Sequence, residues 1–315
     1  MIEDLIAEKA RYIDSVIDQY LPAEEGLARN VICAMNYSIH AGGKRLRPML
    51  MMESCEMFGG CVEGIINPFM AAIEMIHTYS LCHDDLPAMD NDMYRRGKLS
   101  TFAKFGEAMG ILAGDGLLNY AFETAMGSFD ILEQDGLDEI GSLELSYRIM
   151  KALRILAGKA GIFGMIGGQV VDIETEDKPA GEVTMDTIMY IHEHKTAAMI
   201  ESSMMIGATL AGAAREQIET LEEVGSDVGL AFQIMDDILD ITGDEDVLGK
   251  PTGSDEKNNK VTYVSMKGID KAREDVNRLS KNAMMRLQNL PGSNSKSGVF
   301  LKDLIEYLKI GRAHV

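Results

Sequence analysis

The residues best able to do chemistry are acidic, and they come in two groups. Asp84-Asp85-Leu86-Pro87-Ala88-Met89-Asp90 follows an apolar run, continues through Asn91 and Asp92, and reaches two guanidinium groups at Arg95-Arg96. A solvated acidic helix end is the plain explanation, but it fails on sign. Carboxylates at a helix C-terminus oppose its dipole and repel one another. An oxygen-ligated cation such as Mg2+ would offset that charge. The Arg pair has no use for a metal, yet suits a phosphate bound to one. The second group is Gln233-Ile234-Met235-Asp236-Asp237-Ile238-Leu239-Asp240. Asp236 and Asp240 stand four apart and share a helical face with Gln233. Apolar residues surround them, so carboxylates there are costly unless paired or metal-bound. Two Asp-rich groups on apolar helices predict a metal site shared across a helical bundle.

Cations gather in complementary places. Gly42-Gly43-Lys44-Arg45-Leu46-Arg47-Pro48 sets three beside a turn, which is either a solvent-exposed loop or an anion cradle. His192-Glu193-His194-Lys195-Thr196 opens a helix rich in small residues. Histidines two apart do not share a helical face, which argues against zinc and leaves Lys195 and Thr196 as the pair of interest. Lys250 and Lys260 bracket the loop after the second Asp group.

Positioning these groups falls to helices. Leu5, Ile6, Tyr12, Ile13, Val16 and Ile17 form one face of a first helix, ended by Leu21-Pro22. A second run passes Val31, Ile32, Met35 and Ile39 to the Gly42-Gly43 break. Met49–Phe58 and Met70–His83 follow, the latter closed or kinked by Pro87. Further helices are predicted at 107–129, 143–157, 161–176, 185–213, 215–241, 268–288 and 298–309. No segment carries a convincing period-2 pattern, and no stretch has the length or composition of an interdomain linker. The expected fold class is therefore all-α, with one domain over residues 1–309. Gly161, Gly164 and Gly168 predict a close helix–helix approach or room for a ligand. The 23 methionines read as adaptable core filler or the lining of an apolar tunnel. Residues 310–315 do not continue the amphipathic pattern of Phe300 to Leu308 and are expected to be a non-native tail.

The chain has 315 residues, with 30 Lys+Arg against 50 Asp+Glu, a formal net charge of −20. That balance argues against sequence-independent binding to nucleic acid or an anionic membrane. It leaves anionic substrates open, because carboxylates can hold the divalent cations that bind phosphate. The first residues lack the basic region and apolar run of a signal peptide. Thr196 to Ala214, the most apolar stretch, is broken by Glu201 and reads as a packed core helix rather than a membrane span. Cys33, Cys55, Cys61 and Cys82 lack paired CxxC spacing, so reduced, mostly buried thiols and a cytoplasmic location are expected.

In six segments the chain resembles the trans-isoprenyl diphosphate synthases, and among them the bacterial farnesyl diphosphate synthase (geranyltranstransferase) type. These are GGKRLRP, HTYSLCHDDLPAMDNDMYRRGK, FGEAMGILAGDGLL, GGQVVD, HKTAAMI and GLAFQIMDDILD with GDEDVLGKPTGSD. The resemblance implies a single-domain helical bundle of the isoprenoid synthase type with a central active-site cavity. It also implies a homodimer without membrane insertion. By the same resemblance Lys44, Arg47 and His77, joined by Arg96, hold the diphosphate of isopentenyl diphosphate. Asp84, Asp85 and Asp90, and Asp236 with Asp237 and Asp240, hold Mg2+, about three ions with substrate bound. Those ions bridge the diphosphate of a dimethylallyl or geranyl substrate. Arg95, Lys195, Lys250 and Lys260 neutralise that group. Thr196, Gln233 and Gln169 present oxygens toward the developing allylic cation, and Asp172 belongs to the same pocket. Asp84, Asp236, Lys195, Thr196 and Gln233 make up the implied catalytic set.

The implied reaction is a 1′-4 head-to-tail condensation. The allylic C–O bond ionises with its diphosphate stabilised. The double bond of the cradled isopentenyl diphosphate attacks, and a proton is lost to the released diphosphate. Tyr79 and Ser80 stand five and four residues before Asp84, about 6 to 7.5 Å along a helix, where a ring could floor the pocket. In this family an aromatic there, with the Pro87-Ala88 insertion, goes with a fifteen-carbon product. A core tyrosine with a satisfied hydroxyl is the alternative. A geranylgeranyl-type synthase and a non-catalytic subunit of a heteromeric synthase are the competing assignments, the latter expected to have eroded Asp motifs. Gly97-Lys98-Leu99-Ser100-Thr101-Phe102 departs from the family's usual GKPTNH, in a loop that covers the site.

Overall fold

Apolar residues at three- and four-residue spacing, with 7 prolines in the whole chain to interrupt them, build a protein of helices. The computed structural model describes residues 1–133, 138–176, 178–243 and 260–311. The chain divides into two compact units. One comprises Glu3–Met52 and Cys61–Leu153, the other Glu53–Gly60 and Arg154–Val315.

The first unit is built from α1 (Ile2–Asp18), α2 (Arg29–Ile39), the start of α3 (Leu46–Met57), α4 (Glu63–Asp84), α5 (Thr101–Phe105), α6 (Glu107–Met126) and most of α7 (Glu139–Ala160). Helix α4 begins seven residues ahead of the predicted Met70, runs through Pro68 and stops at Asp84, before Pro87. Ile65 to Ile76 is buried throughout, as an apolar helix without a polar face must be. It packs along α6, which turns small residues (Gly110, Ala113, Gly114, Ala121, Ala125) into the core. The sequence shows no strand, yet Tyr94–Arg95 (β1) pairs antiparallel with Lys98–Leu99 (β2). Two residues per strand are too few for any period to register. Their two-residue loop, Arg96-Gly97, has φ of 53° and 75°, the left-handed pair of a type I′ hairpin turn.

The second unit contains α8 (Met165–Glu176), α9 (Met185–Ile191), α10 (Ala198–Ala211), α11 (Arg215–Thr242), α12 (Tyr263–Lys267), α13 (Ile269–Gln288) and α14 (Lys296–Lys309). The predicted helix 161–176 starts only at Met165. At Gly164 a Cβ would lie 2.0 Å from the Lys159 carbonyl oxygen, so the chain turns there. The predicted helix 185–213 is interrupted by a π turn, His192–Ala197. Close packing explains the small residues around it. A Cβ on Gly168 would meet the Lys195 nitrogen at 2.1 Å, one on Gly229 the Ala197 Cα at 2.5 Å, and one on Gly225 the Glu201 Cα at 2.6 Å. The expected close helix approach is therefore present at Gly168. Glu201, the charge inside the apolar stretch, is buried and takes the Lys159 ammonium, which also reaches Glu222 at 2.6 Å. Leu230, Ile234, Ile238, Tyr263, Val264 and Val276 form a core between α11, α12 and α13. All four cysteines are free thiols. No helix among the described residues is long and apolar enough to cross a membrane.

Candidate active site

Two turns in the first unit bring cations together. Gly42 and Gly43 have φ of 99° and 146°, and a Cβ on Gly43 would lie 2.7 Å from Arg96 Nη1. The glycine turn and the hairpin turn thus abut, and both present basic residues. Arg45 is the anchor of the first turn. Its buried guanidinium donates to Asp14 at 2.7 Å, Glu74 at 2.8 Å and the Ile39 carbonyl at 2.8 Å. Lys44 and Arg47, on either side, behave differently. Burial pulls the Lys44 ammonium down to about 8. Burial also lowers Arg47, the nearby Arg96 charge adds to the effect, and the Arg47 Nε is buried without a hydrogen-bond partner. His77 is held well below the ordinary imidazole value by burial and by Arg47, Arg96, Arg45 and Arg95. Arg47, His77 and Arg96 are thus each lowered by neighbouring guanidinium charge as well as by burial, an arrangement suited to an anion.

The first Asp group closes the end of α4. The Asp90 amide donates to the Asp84 carbonyl at 2.8 Å and the Asp92 amide to the Asp85 carbonyl at 3.1 Å, folding the loop back on the helix end and satisfying its terminal carbonyls. Asp85 is buried and accepts from Arg95 Nε at 2.9 Å and from Nη2, which also reaches Asp92 at 3.2 Å. Arg95 is therefore braced rather than floating. Tyr79, one turn below, is 5% exposed, and burial with the Asp84 charge pushes its phenol up to about 12. Ser80 turns its hydroxyl back to the His77 carbonyl at 2.9 Å.

In the second unit the π turn presents Lys195 and Thr196. Lys195 Nζ lies 2.5 Å from Asp172 Oδ2, and Lys260 Nζ lies 3.0 Å from Oδ1 of the same carboxylate. Asp172 is 2% exposed; burial alone would raise its pKa, but the two ammonium groups outweigh this and hold it below the usual carboxylate range. Thr196 Oγ1 donates to Gln233 Oε1 at 2.8 Å, so these two expected site residues do meet. Gln169, beside the close-packed Gly168, and Asp236 are partly exposed, whereas Asp237 and Asp240 are buried. Asp237 accepts the Tyr263 amide at 2.9 Å, at the start of α12. Lys250 lies outside the described residues. The Arg45–Glu74–Asp14 anchor escaped the sequence reading, although Glu74, a lone carboxylate inside an apolar helix, was a usable signal.

The carboxylate donors suit a hard divalent cation such as Mg2+ and not a thiol- or imidazole-seeking metal. Among the described residues no group of three or more His, Cys, Asp or Glu already stands arranged around a metal position. A six-coordinate Mg2+ held here would draw further oxygens from water and a phosphate ligand.

Three comparisons bear on this chemistry. The sequence profile of the family described as Polyprenyl synthetase matches residues 29–293. Farnesyl diphosphate synthase of Geobacillus stearothermophilus is 42% identical over 275 residues, covering 87% of each chain. The large subunit 1 of the chloroplastic heterodimeric geranylgeranyl pyrophosphate synthase of Arabidopsis thaliana is 38% identical over 96% of this chain and 78% of its own. Among solved structures, the geranyltransferase of Helicobacter pylori complexed with magnesium and isoprenyl diphosphate superposes with a TM-score of 0.77. It is 29% identical and covers 98% of this chain and 96% of that one.

Proposed function

The chain belongs to the polyprenyl synthetase family of prenyltransferases, and from that premise we propose that it makes farnesyl diphosphate. It would do so by joining isopentenyl diphosphate to dimethylallyl and then geranyl diphosphate, 1′-4 and head to tail. The observation that carries this reading is the cluster the two turns make: Arg96 packed against Gly43, Arg47 with its Nε buried and unpartnered, and Lys44 and His77 beside them. A diphosphate there would supply the missing charge. His77, neutral at pH 7, would serve as a hydrogen-bonding group rather than a cation.

Arg95, braced by Asp85, and Lys195 and Lys260, braced by Asp172, would stabilise the charge growing on the departing allylic diphosphate. Thr196 and Gln233, with Gln169, would offer oxygens to the allylic cation, and Lys250 would join the cations. Asp84, Asp85, Asp90, Asp236, Asp237 and Asp240 would hold the Mg2+, which supplies Lewis-acid stabilisation of the leaving group. The released diphosphate would take the proton. Residues 1–309 form one synthase domain on this reading, supported by a family match that runs through both units. Four free thiols accord with a cytoplasmic location.

Purified protein supplied with Mg2+, isopentenyl diphosphate and geranyl diphosphate should yield a fifteen-carbon diphosphate by chromatography. No elongated product would sink the reading; a twenty-carbon end product would favour the geranylgeranyl alternative, which the Arabidopsis relative keeps in play. Product length rests on Tyr79 as a floor, with Ser80 beside it. Tyr79→Ala should shift the main product from fifteen carbons to twenty or more, and an unchanged product would place the floor elsewhere.

A homodimer is part of the same reading. Ile140, Leu143, Tyr147 and Met150 line one stripe of α7 at 77, 72, 55 and 53% exposure, an apolar seam at three- and four-residue spacing. Sedimentation should give twice the 34.5 kDa chain mass. Leu143→Asp with Tyr147→Asp should halve it, and a parent chain that sediments as a monomer would end this assignment.

A further inference from the structure

The Tyr79 ring is supported by something that neither the acidic nor the basic groups explain. Tyr79 and His83 stand four residues apart on α4, so they lie on one face. Their rings meet edge to face, with centroids 5.8 Å apart and planes at 81°. The imidazole is fixed from the other side. His83 Nε2 lies 3.1 Å from the Ile111 carbonyl oxygen on α6 and 3.7 Å from Asp115 Oδ1. Helix α6 passes this ring at Gly114, where a Cβ would fall 2.1 Å from Nε2 and 2.3 Å from Cδ2. Even an alanine at 114 cannot coexist with His83 in its present place.

We infer that His83, seated in the slot left by Gly114, is a product-length positioning residue that holds the Tyr79 ring across the path of the growing chain. The inference rests on the reading of Tyr79 as the pocket floor. Its content is that the floor is set by two helices together: α4 carries the tyrosine and α6 decides where its neighbour may sit. A flat imidazole clamped at one edge leaves Tyr79 a firm backing. An imidazole expelled from the slot removes it, and the phenol gains room to turn aside.

The test is product distribution, which a loss of stability alone would not redirect. Gly114→Ala sits inside a helix and gains helix propensity, so the fold should tolerate it. It should raise the ratio of twenty- to fifteen-carbon product by roughly tenfold, the order one methylene commands in an apolar pocket. His83→Asn keeps a polar group near the Ile111 carbonyl, removes the ring, and should move the ratio the same way. The double variant Tyr79→Ala/Gly114→Ala should match Tyr79→Ala alone, because the slot acts only through the tyrosine. If Tyr79→Ala lengthens the product while Gly114→Ala and His83→Asn, both folded by circular dichroism, stay at fifteen carbons, the inference is wrong and the floor reading survives. If Tyr79→Ala itself leaves the product unchanged, the floor reading fails and this inference with it.

Discussion

Asp84→Asn is expected to lower kcat at saturating substrate by about 10^3-fold, the scale of one lost preorganised electrostatic contact to a leaving group. The same change should leave the fold as stable as before or slightly more so. Asp84 is the last residue of α4, at the negative end of the helix dipole and next to Asp85. A negative charge at that end opposes the helix dipole, and neutralising it should relieve about 0.3 to 1 kcal/mol of that repulsion. Asparagine keeps the shape and one oxygen, and removes the charge a divalent cation needs. Steady-state kinetics over a range of Mg2+ concentrations, beside thermal unfolding, separate the two effects. The Mg2+ needed for half-maximal activity should rise. A variant that lost activity only in proportion to lost stability would make Asp84 a structural residue.

Much of this chemistry was legible because it depends on residue type and spacing. Two Asp-rich runs on apolar helices, basic residues beside a Gly-Gly turn, and Lys195 next to Thr196 can be read without coordinates. What could not be read are the contacts that decide how each charge is used. Arg45 and Arg47 are two residues apart and alike in sequence, yet only the first is sunk between Asp14 and Glu74. Asp84 and Asp85 are neighbours, but the second is buried against Arg95. Such choices depend on which partner lies across the fold, and no local pattern encodes that. Short or irregular elements were missed for a related reason. The hairpin that presents Arg95 and Arg96 has two residues per strand. The π turn that presents Lys195 adds a residue to one turn, which helical periodicity absorbs without a visible break.

Asp172→Asn tests how far cations need a fixed bed. The carboxylate is buried and carries two ammonium groups, one from the π turn and one from Lys260. Remove its charge and two positive groups remain close together with their shared counter-ion gone. A fully buried pair broken in this way costs about 3 to 5 kcal/mol. Lys195 and Lys260 are 29 and 38% exposed at their side chains, so each can swing toward water. The loss in stability should then be about 1 to 2 kcal/mol. That escape is what should damage function. On the proposed reading, lysines turned to solvent would no longer wait where the diphosphate charge develops, and kcat/KM for the allylic substrate should fall by about 10^2-fold. The sign of the pH dependence follows from the lowered folded pKa. The stability that Asp172 contributes is fully present above the ordinary carboxyl value of 3.8 and is lost as the pH falls through the lower folded value. The gap between parent and variant should therefore hold from neutral pH down to that ordinary value and close below it. If kcat/KM survived while stability fell, Asp172 would serve the fold alone, and the two lysines would find the substrate without its help.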